Sequence, residues 1–199
     1  MARIYIIRHG QTDANKRLAC IGRVDTPLND TGHEQSRALA KRLSDVTADK
    51  IYISPLTRAR QTIQYYLDEH PDIPVKEEPL IIERNFGDWE GLTFDEIEKL
   101  VPAEYAKWRT EFVDYQIPGG ESSRQVQSRA DEFIDLLTAQ HADGTIFLVT
   151  HLALSRHLIS RLLGLKIEES WRFTMYNASC AVIDYDNTTH CGVLKYLNI

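Results

Sequence analysis

Ile4-Tyr5-Ile6-Ile7-Arg8-His9-Gly10 is the stretch on which the reading of this 199-residue chain turns. Ile4 to Ile7 is a short, β-branched apolar run. It is too short for a helix and suits a strand buried on both faces. The run stops abruptly at a cation, an imidazole and a glycine.

Working outward, the same alternation of apolar run and helical pattern recurs along the chain. Thr31-x-x-Glu34 is a capping-box signature, and Ala38, Leu39 and Leu43 give the following segment, Thr31 to Leu43, a helical face. Ile51 to Ile53 is a second buried strand. Ser54-Pro55 after it reads as a helix start, a capping hydroxyl with proline at the first helical position. Leu80 to Ile82 is a third strand candidate, and Thr93-x-x-Glu96 a further capping box. Pro118-Gly119-Gly120 forms a turn before an amphipathic helix with Val126, Ala130, Phe133, Ile134 and Leu137 on one face. Thr145 to Val149 is the most strand-like run of all, followed by a helix over Leu152 to Leu163 that Gly164 stops. Ala181 to Tyr185 and Val193 to Leu197 finish the chain as two strands with a short connection through Asp186-Asn187.

Strands alternating with helices predict an α/β fold, a three-layer α/β/α sandwich around a mostly parallel sheet, and the short last connection predicts an antiparallel edge strand. In such sheets the functional crevice lies beyond the carboxyl ends of the strands. Three strand ends carry chemistry there. The first runs into Arg8-His9-Gly10, the second leads through Ser54-Pro55 to Arg58, and the Thr145 strand runs into Thr150-His151. If these strands are neighbours, two histidines and two arginines converge with the N-terminal ends of helices, whose free N–H groups and dipoles favour an anion. The set suits a phosphate group: arginine offers a planar fork that keeps its charge, and neutral imidazole is a competent nucleophile toward phosphorus.

Composition narrows the alternatives. With 29 acidic and 23 basic side chains, the net charge of −6 gives no global field for nucleic acid or anionic lipid, so an anionic ligand needs arginines gathered locally. Cys20, Cys180 and Cys191 are odd in number and scattered, which predicts reduced thiols in a cytoplasmic protein rather than a disulfide framework or zinc site. No apolar run approaches the ~20 residues of a membrane span. The histidines lack metal-binding spacing, and a glycine-rich nucleotide fingerprint is absent, so neither metal nor cofactor is expected.

The sequence resembles the histidine phosphatase superfamily, in its phosphoglycerate mutase-like branch. Arg8-His9-Gly10-Gln11-Thr12-x-x-Asn15, Asp25-x-Pro27-Leu28-x-x-x-Gly32 and Ser54-Pro55-Leu56-x-Arg58-Ala59-x-Gln61-Thr62 are similar to its motifs, in its order. Glu83-x-x-Phe86-Gly87-x-Trp89-Glu90-Gly91 and Pro118-Gly119-Gly120-Glu121-Ser122 resemble the insertion of its phosphatases, and Thr150-His151 with Arg156 the closing motif. The resemblance implies a phosphoglycerate mutase-like fold in one domain over residues 1–199, with residues about 83–125 as a helical insertion covering the active site. It implies a metal-independent phosphomonoesterase that passes through a phosphohistidine. His9 would be the nucleophile; Arg8, Arg58 and His151 would hold and neutralise the phosphoryl group. Asn15 and the Gly22 backbone would be further donors. Glu83 would protonate the leaving alcohol and then help activate water.

Two residues depart from the pattern: Ile21 stands where glutamine is common, and Leu152 where glycine is common. Both make the pocket more apolar and bear on substrate selection. The expected ligand is a small phosphorylated metabolite, with no nucleic-acid or membrane partner and a homo-oligomer left open. Phosphoglycerate mutase activity with a bisphosphoglycerate cofactor is the first alternative, a non-catalytic phospho-ligand-binding module the second. His33, His70, His141 and His190 read as surface residues, and His157 as packing or surface. Arg60 reads as solvated or paired, Glu98-Lys99 as a solvated helix face, and Trp89 and Phe86 as either core or substrate mouth.

Overall fold

The computed structural model describes all of residues 1–199. Its core is a six-stranded sheet in the order β3-β2-β4-β1-β5-β6. The strands are β1 (Ala2–Arg8), β2 (Lys50–Ile53), β3 (Val75–Glu77), β4 (Gly144–Thr150), β5 (Cys180–Asp186) and β6 (Cys191–Leu197). β3, β2, β4 and β1 run parallel, whereas β5 runs antiparallel to β1 and β6 antiparallel to β5. The antiparallel edge predicted from the short last connection is therefore a pair of strands. The helices are α1 (Asp13–Lys16), α2 (Asp30–Arg42), α3 (Thr57–Glu69), α4 (Phe94–Leu100), α5 (Pro102–Thr110), α6 (Ser123–Gln140) and α7 (Leu152–Leu162).

The alternation within β1 builds the three layers. Ile4 and Ile6 join Ile146 and Leu148 of β4 against α6 and α7, through Phe133, Ile134, Leu154 and Leu158. Tyr5 and Ile7 point the other way, joining Phe147 and Val149 against α2 and α3, through Leu39, Ile63 and Tyr66. Each fully buried isoleucine or leucine contributes about 1.5–3 kcal/mol of transfer free energy. A one-residue slip of β1 would exchange the two faces, so its register is strongly specified.

Several local expectations change. α2 is capped by Asn29, whose side chain accepts the Gly32 N–H, so Thr31 lies inside the first turn. α3 begins at Thr57 with Leu56 as an unassisted cap, because the Ser54 hydroxyl is 2.7 Å from His151 Nε2 instead. The predicted strand at Leu80 to Ile82 is replaced by a 3₁₀ turn over Pro79–Ile81, with Glu78 capping it; the proline just before the run favours the turn start and has no ladder donor. The third parallel strand is Val75–Glu77, exposed along its length and without the apolar pattern that marks a buried strand. The Thr93/Glu96 capping box forms, and Gly164 ends α7 in a left-handed turn with φ +67°.

A third, smaller apolar cluster lies off the sheet, around Cys20, Trp89, Ile97, Trp108 and Ile117. It joins α4 and α5 to the loop after α1, where Cys20 N–H donates to Leu92 O at 2.8 Å and Gly91 N–H to Cys20 O at 2.8 Å. Trp89 belongs to this cluster, 2% exposed. No helix is long and apolar enough to cross a membrane.

Candidate active site

β2, β4 and β1 are neighbours, so the three strand ends meet. His9, one residue past β1, is fixed by its backbone: its N–H donates to Thr150 O at 3.0 Å, and its carbonyl accepts from Ala178 N–H and Asn177 Nδ2, both at 3.1 Å. Gly10 follows in a packed corner, where a Cβ would stand 2.7 Å from Gly32 O. Its N–H donates to Thr62 Oγ1 at 2.9 Å, which donates to Arg58 O at 2.7 Å, tying the β1 end to α3.

The His9 ring is held by one bond. Its Nδ1 is 2.7 Å from Gly10 O, and a carbonyl only accepts, so the proton is on Nδ1. Nε2 therefore carries the lone pair. Burial, reinforced by the charges of Arg58 and Arg8, pushes the His9 pKa well below the ordinary range, so the ring is neutral near pH 7. His151, the N-cap of α7, lies with its ring centroid 5.1 Å from that of His9. Arg58 Nε donates to His151 Nδ1 at 3.2 Å, which leaves the ring proton on Nε2, facing Ser54 Oγ. Burial and Arg58 also keep His151 neutral.

The arginines take different positions. Arg8 Nη1 donates to Met175 O at 2.5 Å, and the rest of its fork lies at a cavity of about 480 Å³. Burial lowers its pKa to about 10, still charged near neutrality. Arg58 is fully buried beneath the cavity, its fork donating to Gly22 O at 2.6 Å and Val24 O at 3.0 Å. Burial also lowers its pKa, against the opposing charge of Glu83. Arg156, quoted above only as part of a motif, lines the cavity too, with Nε on Phe173 O at 2.8 Å.

Glu83 is buried beside the cavity at the N-terminal end of α7. Its carboxylate accepts from Arg84 N–H at 2.8 Å, Ala153 N–H at 3.1 Å and Leu154 N–H at 3.2 Å. It is 4% exposed, so it is not a solvated loop acid. The helix end expected to face an anion thus already holds one, a protein carboxylate.

The remaining predicted residues divide. His9, Arg8, Glu83, Asn15, Ile21 and Leu152 all line the cavity. Asn15 Oδ1 accepts from Thr12 N–H and from Asn177 Nδ2, which orients its amide. Gly22 lies at the edge of the cluster, its N–H donating to Glu90 Oε2 at 2.9 Å. The structure therefore uses Gly22 to join two loops; a Cβ there would collide with Arg84 O. His157 is buried and also lines the cavity, its Nδ1 2.9 Å from Gln127 Oε1, and burial lowers its pKa to about 3. Arg60 pairs with Glu77. Phe86 lines the cavity, whereas Trp89 does not.

Sequence reasoning missed Asn177, Ser54 as a histidine partner, and a clamp behind Glu83. In that clamp Arg129 donates to Ile82 O at 3.1 Å and makes two bonds to the Glu121 carboxylate. Glu121 sits in the quoted Pro-Gly-Gly-Glu-Ser stretch, which was a usable signal. Asn177 had none, because only β5 brings it back beside β1.

The geometry is that of a phosphoryl-transfer site on an α/β sheet, and comparison with known proteins agrees. The sequence model of the histidine phosphatase superfamily (branch 1) matches residues 4–198. Phosphoserine phosphatase 1 of Hydrogenobacter thermophilus is 30% identical over 199 residues, covering 100% of this chain and 93% of the relative. The solved α-ribazole phosphatase of Shigella flexneri superimposes with a TM-score of 0.90 at 31% identity, covering 99% of this chain and 96% of that one. A mycobacterial glucosyl-3-phosphoglycerate phosphatase solved with VO3 has a TM-score of 0.88 at 28% identity, covering 100% and 99%. The chain belongs to the histidine phosphatase superfamily, branch 1, and is a phosphatase of that family.

Proposed function

We propose that the chain hydrolyses a small-molecule phosphomonoester through a phosphohistidine on His9. The observation that carries this reading is the His9 ring: neutral, protonated on Nδ1 by its bond to Gly10 O, and placed at the cavity beside Arg8. In the first step Nε2 forms the N–P bond as the ester P–O bond breaks, and Glu83 gives a proton to the leaving oxygen. In the second, water attacks phosphorus, Glu83 takes its proton, and the N–P bond breaks to release inorganic phosphate. Arg8 touches the phosphoryl oxygens. Arg58 and His151 support them from beneath, Arg58 chiefly through its charge while its fork rests on Gly22 and Val24. Asn15 offers its amide N–H₂ from the cavity lining.

We also read residues about 83–125 as a cover over this site. Phe86, Phe94 and Trp108 on the cavity wall support that assignment.

The test is trapping of a labelled, acid-labile and base-stable phosphoryl group. Wild type is expected to carry it and His9→Ala to lack it, with phosphate release lost in parallel. Isomerisation of phosphoglycerate outpacing phosphate release would overturn the hydrolase reading. So would the absence of both trapping and turnover across a broad phosphomonoester panel.

A further inference from the structure

The cavity has two unlike halves, and the second half bears on the leaving group. Its polar floor holds Arg8, His9, Asn15 and Glu83, and ten of its twenty lining residues are hydrophobic. Ile21, Leu152, Phe86, Phe94, Trp108 and Trp171 supply much of the apolar lining, and of these only Trp171 is exposed to solvent. These come from segments far apart in sequence, which makes the wall a product of the tertiary fold.

Trp171, on a 3₁₀ turn over Ile167–Arg172, differs from an ordinary surface tryptophan. It is 41% exposed, yet three contacts fix its ring. The Arg156 guanidinium lies 4.6 Å from its centroid, and Trp108 and Phe112 meet it edge-on at 5.8 and 5.7 Å. A flat, orientated aromatic surface at a cavity mouth is a stacking surface for a ligand.

The cations do not offer a second anion site of comparable quality. Each of the three guanidinium nitrogens of Arg84 donates within the protein, two to Glu121 O and one to Ser123 Oγ. Arg156 is tied to Phe173 O and lies over Trp171. Arg84 and Arg156 are thus held by protein acceptors, with which a carboxylate on the leaving group would have to compete.

We infer that this enzyme selects phosphomonoesters whose leaving alcohol carries an aromatic or similarly bulky apolar group, and that Trp171 is the residue that selects it. The inference rests on the hydrolase reading above. Its physical content is burial: an aryl group gains contact area on Ile21, Leu152, Trp108 and Trp171 that a small polar alcohol cannot use.

The experiment compares primary-alcohol esters of similar leaving-group basicity: ethyl phosphate, 2-phenylethyl phosphate, 2-(1-naphthyl)ethyl phosphate and phosphoserine. kcat/KM is expected to rise from ethyl to naphthylethyl by about tenfold or more, with phosphoserine no better than ethyl phosphate. Trp171→Ala is expected to cut the naphthylethyl-to-ethyl ratio by about fivefold or more, mainly through KM, and Trp171→Phe to restore most of it. A flat series, a preference for phosphoserine, or an equal loss for every ester in Trp171→Ala would overturn the inference alone. No turnover of any of the four, with no phosphohistidine, would overturn the hydrolase reading as well.

Discussion

The floor of the cavity and its apolar wall are built by different means. On the floor, backbone hydrogen bonds at the strand ends hold His9, Ser54 and Arg58 hold the His151 ring, and the Arg58 fork rests on two carbonyls. The wall rests on a small aromatic cluster in which Trp108 touches Trp89, Phe94, Tyr105 and Trp171. The floor's geometry follows from the sheet and tolerates almost no change. The wall's geometry follows from side-chain packing, where aromatic residues exchange at modest cost. On the proposed reading, chemistry belongs to the first region and discrimination to the second.

The sharpest way to break this division is at the floor. His9→Ala is expected to lower kcat/KM by about 10⁴-fold or more, since the proposed reaction passes through the bond from its Nε2 to phosphorus. Initial-rate assays check it; retention of even a tenth of the activity would contradict the role of the floor. Arg58→Ala should cost about 10²–10³-fold in kcat/KM, comparable to removing one preorganised donor, with the fold verified by circular dichroism.

Glu83→Gln separates protonation from positioning. Its kcat is expected to fall about 10²-fold for alkyl phosphates, which need a proton on the leaving oxygen. For 4-nitrophenyl phosphate, whose leaving group needs none, the first step should fall far less. Equal losses on both would assign Glu83 to holding α7 alone.

At the wall the expected effect is on stability. Trp108→Ala, which empties the centre of the third cluster, should cost about 3–5 kcal/mol in urea denaturation. If stability is unchanged, the wall is not packed as described.

The smallest expected effect is pH dependence. His9, His151 and His157 are buried neutral, with folded pKa values below the unfolded 6.5. Below about pH 6.5 the unfolded chain binds protons that the folded chain refuses, so stability falls as pH falls. Each such histidine contributes a slope of up to about 1.4 kcal/mol per pH unit over that window. The cost accrues down to the folded value, about 3 for His157. Urea midpoints from pH 7.5 to 4.5 should show the decline, less steep in His157→Gln.

Much of the floor was legible in sequence. Ile4 to Ile7, Ile51 to Ile53 and Thr145 to Val149 are apolar enough to be buried strands, and each leads to its reactive residue within a few positions. Val75–Glu77 was not legible, because an exposed edge strand has no apolar pattern to display. Ser54 was misread as a cap because a hydroxyl before proline satisfies the local rule, while the fold turns it toward His151. Asn177, the Arg129–Glu121 clamp and Trp171 were not assigned at all. Their partners lie far away in the chain, at His9, Glu83 and Trp108, so no spacing announces them.

The sequence alone determined the layers of this protein, the strands at its centre and the identity of its family. Those depend on periodicity and on motifs local to single strand ends. Only the tertiary structure decided that His9 presents Nε2 and that Glu83 is bound at the start of α7. It also decided that Ile21 and Leu152 open onto an aromatic wall ending at Trp171. These are relations between distant segments, fixed by packing and hydrogen bonding after the chain has closed on itself.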